Sequence, residues 1–198
     1  MSFETFRIAG ELDAMAIAQL VNNAYRPVLG SPGWTHESDL VSGSRASINQ
    51  VAALISKPDS IILMGFKDSE LVACVHVEKV GRNNHIGMLA VNPALQRVGA
   101  GKQMLALAEK YICENFGSEK FIMFVVSSRS ELISFYMRRS YQKTGNIMNY
   151  PLSADFGTPI NPDLKIEVME KGCTVTDICC EPKSVSPLTL APIYQGLL

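Results

Sequence analysis

Apolar and polar positions along this chain change period often, and the changes mark an alternating series of strands and helices. Residues 5–9 read as an opening strand, and 11–25 as a helix with Leu12, Met15, Ala16 and Leu20 on one face. From 27 to 43 the period gives way to Gly, Pro and Ser, which predicts a long loop; loops of that length inside a compact domain usually carry function. Residues 47–55 read as a second helix, stopped near Pro58. Ser60–Lys67 and Glu70–Val80 read as two strands joined tightly at Asp68-Ser69 in a hairpin. The apolar run 85–91 follows, bounded by Asn92-Pro93. Met104, Leu105, Ala108, Tyr111 and Ile112 then recur at helical spacing, with Gly117 placed to end the helix. Residues 121–126 form a further strand. Ser128 and Glu131 predict a capping box for a helix over 130–139. Residues 146–150 and 164–170 read as late strands around a Pro-rich loop. No internal repeat is visible.

Composition narrows the class without naming a function. At 198 residues, with 47% apolar and 19% charged positions, the chain is one globular domain with a sizeable core. A net charge of -1 with no basic stripe argues against nucleic acid as a partner. No basic segment followed by an apolar run opens the chain, and no stretch is long enough to span a bilayer. Five irregularly spaced cysteines, without an export signal, point to reduced thiols in a cytoplasm.

The segment Gln96-Arg97-Val98-Gly99-Ala100-Gly101 sits between the strand 85–91 and the helix that follows. A strand that turns through two glycines into a helix aims free backbone N–H groups at one point. The helix dipole adds partial positive charge there, so a phosphate is the natural occupant. A mononucleotide loop would need glycine where Gln96 stands and Ser or Thr where Gln103 stands. A dinucleotide loop would need a third glycine where Met104 stands. What remains, Q-x-x-G-x-G after a strand ending in V-x-P, resembles the acetyl-CoA loop of the GNAT acetyltransferase superfamily. Leu132 to Tyr141, an aromatic-Tyr pair followed by basic residues, is similar to the family's second signature, with Ser140-Tyr141 where Gly-Phe is usual. Cys74 to Glu78, Gly87 to Val91, Gly33-Trp34-Thr35-His36-Glu37 and Arg129-Ser130-Glu131-Leu132-Ile133 resemble elements of a bacterial subgroup with uncharacterised substrates. The loop departs from the family in carrying Arg97 where glycine is common.

The resemblance covers residues 1–171 and implies an α/β (α+β) fold: a mixed, mostly antiparallel central sheet with helices on both faces. It implies an N-acetyltransferase that moves an acetyl group from acetyl-CoA to a primary amine, with a small-molecule or amino-acid-like amine as acceptor partner. The pantetheine arm would lie along Leu89, Ala90 and Val91. The pyrophosphate would sit on N–H groups of Gln96, Arg97, Val98, Gly99, Ala100, Gly101 and Lys102, with Arg97 and Lys102 adding charge. Tyr136 is the family's candidate for the acid that protonates the departing thiolate, a task that suits a phenol. Leu132, Phe135, Tyr136 and Arg139 share helical spacing, however, so packing is the competing reading.

For a general base, Cys74, His76 and Glu78 alternate onto one strand face. Glu78 is the candidate by family habit and His76 by its unperturbed pKa, and a neutral amine would need neither. The acceptor is expected at the loop carrying Trp34, Glu37 and Asp39, together with Arg45. Acidic groups and a Trp face suit a cationic amine, whereas Arg45 suits a substrate carboxylate. Two alternatives stay open: a GNAT-fold regulator that binds an acyl-CoA without catalysis, and transfer of a longer acyl group. The tail 172–198, with Cys173, Cys179 and Cys180, lacks the spacing of a metal site; its apolar residues suggest docking on its own domain or on a second copy in a homodimer.

Overall fold

Alternation between residues 60 and 91 builds the centre of the molecule, three strands with one helix layer against each face. The structure is a computed structural model that describes residues 3–27, 33–152 and 156–173. In chain order the elements are β1 (Thr5–Ile8), α1 (Ala14–Tyr25), β2 (Val41–Ser42), α2 (Ile48–Ser56), β3 (Ser60–Lys67), β4 (Glu70–Val80), β5 (Asn83–Val91), α3 (Ala100–Tyr111), β6 (Lys120–Val126), α4 (Ser130–Met137), β7 (Gln142–Asn149), β8 (Thr158–Pro159) and β9 (Lys165–Gly172). Seven strands form one sheet in the order β1-β3-β4-β5-β6-β9-β7. Every neighbouring pair is antiparallel except β5 and β6. This is the mixed, mostly antiparallel sheet expected from the sequence. No helix among the described residues is long and apolar enough to cross a membrane.

Strand parity sorts the core into two layers. Ile62, Met64, Cys74, Met88 and Ala90 face α1 and α2, where Ile17, Val21 and Val51 are fully buried. Leu63, Ala73, Val75, Val77 and Val91 face α3 and α4, packing with Met104, Leu105, Ala108 and Ile133. The tight β3–β4 turn has Asp68 and Ser69 both at positive φ, which matches the right-handed twist of the flanking strands. α3 continues through a π-helical turn, Ile112–Phe116, and stops at Gly117, whose φ of 62° few other residues tolerate.

Three local expectations are corrected. The buried stripe of α1 is Ala14, Ile17, Ala18, Leu20, Val21 and Ala24, whereas Leu12 and Met15 are exposed. Glu11–Asp13 form a 3₁₀ turn and the α-helix begins only at Ala14, which moves Leu12 off the inner stripe and places Ile17, Leu20 and Val21 on it beside three alanines. The capping box at α4 does not form: Arg129 is the N-cap residue without a side-chain cap. Glu131 instead accepts a hydrogen bond from the Thr35 hydroxyl at 2.7 Å. The stretch 27–43 is not all loop, because Val41–Ser42 pairs antiparallel with Thr158–Pro159. Most of the tail 172–198, including Cys179 and Cys180, lies outside the described residues; Cys173 stands at its start, its Sγ 2.7 Å from that of Cys113.

His76 is held at the α2 side of the sheet. The only hydrogen of the Ser60 hydroxyl goes to the Leu54 carbonyl at 2.7 Å, so His76 must donate from Nε2 to Ser60 Oγ, 2.9 Å away. Burial lowers its pKa from 6.5 to about 4, opposed by nearby Glu78 and reinforced by Lys57. The folded-state pKa is below the unfolded value, so the unfolded chain takes up the proton first. The stability that neutral His76 supplies is whole above pH 6.5, and it declines as the pH falls through 6.5 until about pH 4. In total it amounts to about 3 kcal/mol. The melting temperature of His76→Gln should accordingly fall less steeply than that of the unsubstituted protein between these pH values; parallel curves would show that His76 titrates normally.

Candidate active site

β5 and β6 pair in parallel over only Asn83–Lys120, Asn84–Phe121 and His85–Ile122. Beyond these three pairs the strands part, and the sheet opens into two cavities that share Tyr25, Leu89, Arg129 and Leu132 as common wall. On its other side β5 carries a bulge. Met88 and Leu89 together oppose Val75, and Met88 takes a φ of 47°. The bend leaves the edge of β5 from Gly87 to Val91 unpaired on the side of the opening.

The first cavity, of about 440 Å³, lies under the N-terminus of α3. Leu89, Val91, Gln96, Arg97, Gly99, Gly101 and Lys102 line it, joined by Phe135, Arg138 and Arg139 of the α4 end. Five basic residues and no carboxylate face this space, so its field and the helix dipole both favour a polyanion. Gly99 takes a φ of 93° as the N-cap residue of α3, and a Cβ on Gly101 would touch the Phe135 ring. Arg97 has a φ of 66°, the left-handed region, which explains why glycine suits that position. Ala90 and Ala100 are buried behind the cavity and Val98 is half-exposed. The Gln96 side chain faces inward to the protein: its Oε1 accepts from the Trp34 backbone N–H at 2.5 Å and its Nε2 donates to the Val91 carbonyl at 3.4 Å. Trp34 thus stands beside Phe135 on the wall of this first cavity rather than in the second.

The second cavity, of about 390 Å³, runs between β5, β6 and the end of β7. Its charged lining is Glu37, Arg45 and Arg129. Glu37 is 3% exposed. Its Oε1 accepts from Arg26 Nη2 at 2.9 Å and lies 3.8 Å from Arg45 Nε, while Oε2 is 3.7 Å from Arg129 Nη1. Arg129 also donates to Thr35 Oγ1 at 2.7 Å. Arg26 reaches on to the carbonyls of Gly43 at 2.5 Å and Phe156 at 2.6 Å, which ties α1 to the segment before β8. Tyr25 offers its ring to both Arg45 and Arg129.

Tyr136 lines this second cavity and also packs edge-on against Phe135 and Tyr141. Burial raises the pKa of its phenol, as does Tyr25, against the pull of Arg129 and Arg139, so it holds its proton. Glu78 and His76 line neither cavity: Glu78 pairs with Lys57 at 2.6 Å, and His76 is committed to Ser60. Asp39 is exposed and outside both cavities. Cys74, on the same strand face, is buried with its thiol pushed up to about 12. Among the described residues no group of three or more His, Cys, Asp or Glu side chains is placed to hold a metal.

A family model described as the acetyltransferase (GNAT) domain matches residues 43–149. The chain belongs to the GNAT acetyltransferases. Members use acetyl-CoA as cosubstrate, and this GNAT chain is an acyltransferase. Comparison with curated proteins finds no match. Solved structures share the GNAT fold at low identity. PaiA N-acetyltransferase from Thermoplasma acidophilum, in complex with coenzyme A, superposes with a TM-score of 0.62 at 18% identity, covering 87% of this chain and 99% of its own. The ribosomal-protein-S18-alanine N-acetyltransferase from Escherichia coli gives 0.62 at 15%, over 92% and 98%. An N-acetyltransferase from Staphylococcus aureus Mu50 gives 0.66 at 13%, over 85% and 97%.

Several residues of the GNAT cavities escaped the sequence reading. Tyr25 closes an apolar helix face and gives no sign that it separates two cavities. Arg138 and Arg139 stand in a basic stretch that the second signature contains, and that stretch was the available signal. Arg129 was visible only as part of a motif. Gly157 carries the Arg26 strut: at a φ of 85° it has room for no Cβ, which would overlap the Arg26 guanidinium and the Ser42 carbonyl. Gly145, at φ 82° with nothing within 4 Å, isolates the backbone cost alone. Urea denaturation should show Gly145→Ala losing about 1 kcal/mol and Gly157→Ala at least twice as much. Equal losses would mean that the Arg26 strut yields freely.

Proposed function

We propose that this GNAT chain transfers the acetyl group of acetyl-CoA to the primary amine of a small molecule. The observation that carries the reading is the pair of adjacent cavities, one under the α3 N-terminus whose charged lining is all basic among the described residues and one lined by a buried arginine–carboxylate cluster, sharing Leu89 where β5 and β6 part. The diphosphate occupies the first, on the N–H groups from Gln96 to Lys102, with Arg97, Lys102, Arg138 and Arg139 as counter-charges. The pantetheine pairs with the free edge of β5 along Leu89, Ala90 and Val91. The amine enters from the second cavity, so thioester and nucleophile meet beside Leu89. Positioning supplies most of the acceleration, since the thioester is already activated. The thiol-rich chain works in the cytoplasm.

Tyr136 is the acid. The amine nitrogen attacks the thioester carbonyl, the C–S bond breaks, and the phenol proton goes to the departing sulfur; the proton lost by the nitrogen restores the phenol through solvent. A phenol held protonated by burial is suited to that step. We assign no base to Glu78 or His76, whose side chains are engaged outside both cavities. The apolar lining of the second cavity, Met88, Phe124 and Val125 among others, favours a second reading in which the acyl chain is longer than acetyl. A chain-length series of acyl-CoA thioesters decides between them: kcat/KM greatest for acetyl supports the first reading, and a maximum at longer chains the second.

Titrating acetyl-CoA should raise the melting temperature in proportion to ligand binding to the folded chain, with ATP and NAD as controls. The absence of a specific shift would count against the glycine loop as a CoA site. Tyr136→Phe should retain that shift while turnover falls roughly 10²-fold or more; unchanged turnover would remove the acid role. Tight acetyl-CoA binding with no CoA release from any amine would instead favour a non-catalytic regulator.

A further inference from the structure

Among the described residues, the charged lining of the second cavity is unbalanced. Arg45 and Arg129 face one carboxylate, Glu37, and this carboxylate already accepts from Arg26 behind the wall. Adding the neighbours Arg26 and Glu131 leaves three guanidiniums and two carboxylates among the described residues of the cluster. The Arg129 side chain is 6% exposed, yet its Nε–H makes no hydrogen bond among the described residues; the Glu131 carboxylate stands 3.7 Å from it. The Arg45 guanidinium donates no hydrogen bond to any described residue; it rests between the Tyr25 and Phe156 rings, 5.2 and 5.3 Å from their centroids. A buried donor without a hydrogen bond and an excess of cations over carboxylates are costly until an anion joins them. The phosphates of CoA do not meet the need of Arg45, which lines only the second cavity, whereas Arg129 lines both.

Resting on the transfer reading above, we propose that the acceptor is an α-amino acid with an apolar side chain, its carboxylate held by Arg45 and Arg129. Glu37 does not receive the substrate ammonium: it is the internal anion that keeps three arginines together. Planar guanidiniums pair a carboxylate through two parallel hydrogen bonds, and the ring-stacked position of Arg45 fixes its plane. Met88, Met123, Phe124, Val125, Met148 and Ile166 supply the apolar wall for the side chain. A cavity of about 390 Å³ suits a free amino acid.

The test reads binding rather than turnover. N-acetyl derivatives of leucine, methionine and phenylalanine, and the matching acetamides that lack the carboxylate, are titrated calorimetrically into the full chain saturated with CoA. At least one acid should bind roughly ten- to a hundredfold more tightly than its decarboxylated partner. Arg45→Gln should erase that difference by weakening the acid, while its CoA affinity, which reports folding, stays within twofold. Equal binding of acid and acetamide, a preference that survives Arg45→Gln, or no binding by any of the six overturns the proposal. Failure of CoA itself to bind is a failure of the transfer reading; the acid-against-acetamide comparison is then made on the unliganded chain with the same criteria.

Discussion

Parallel pairing between β5 and β6 stops after three residue pairs, and the opening beyond it is the space on which the rest of the molecule is organised. A sheet that stayed closed would cover the edge of β5 at Leu89 with a neighbouring strand. The bulge at Met88 shifts the β4–β5 register by one residue, and pairing resumes on either side of it at Cys74–Ala90 and His76–Gly87, so β5 stays bound to β4 while it parts from β6. Both layers of helices can then pack on an otherwise continuous sheet. The edge of β5 left without a partner is a row of backbone donors and acceptors that must find one. An extended ligand with amide groups is the kind of partner that completes such an edge.

Charge follows the same geometry. One side of the opening gathers positive charge from three sources: the α3 dipole, the glycine loop and the basic end of α4. On the other side, positive charge is partly neutralised and buried, with a carboxylate set among arginines. The difference separates a site for a multiply charged, partly hydrated group from one where desolvation sharpens the response to a single charge. Tyr25, Leu89, Arg129 and Leu132 belong to both sides, so a change at any of them reaches both cavities together.

Much of the fold was legible because alternation and helical spacing are local. Ser60–Lys67 and Glu70–Val80 could be read to the residue, and the loop from Gln96 to Gly101 stood out by its two glycines. The inner face of α1 was legible only at Leu20, since the 3₁₀ turn over Glu11–Asp13 shifts the helical phase and brings Ile17 and Val21 inward in place of Leu12 and Met15. The parity of Cys74, His76 and Glu78 was readable, but parity does not say how far along the sheet a residue lies from the opening. Trp34 reached the first cavity through a hydrogen bond to Gln96, 62 positions away, and β2 and β8 are too short to show any period. Long-range pairing of this kind leaves no trace in a local pattern.

The Arg26–Phe156 hydrogen bond joins groups 130 positions apart. A chain made from its N-terminus therefore exposes the Arg26 guanidinium, and with it Glu37 and Arg45, long before their last partner exists. At ordinary rates of synthesis that interval is on the order of ten seconds. The basic loop, α3 and the β3–β4–β5 meander are all complete earlier. The basic half of the opening and the half lined by the arginine–carboxylate cluster are thus separated in time as well as in charge: the first can mature on a nascent chain, and the second closes only when the segment before β8 has been delivered.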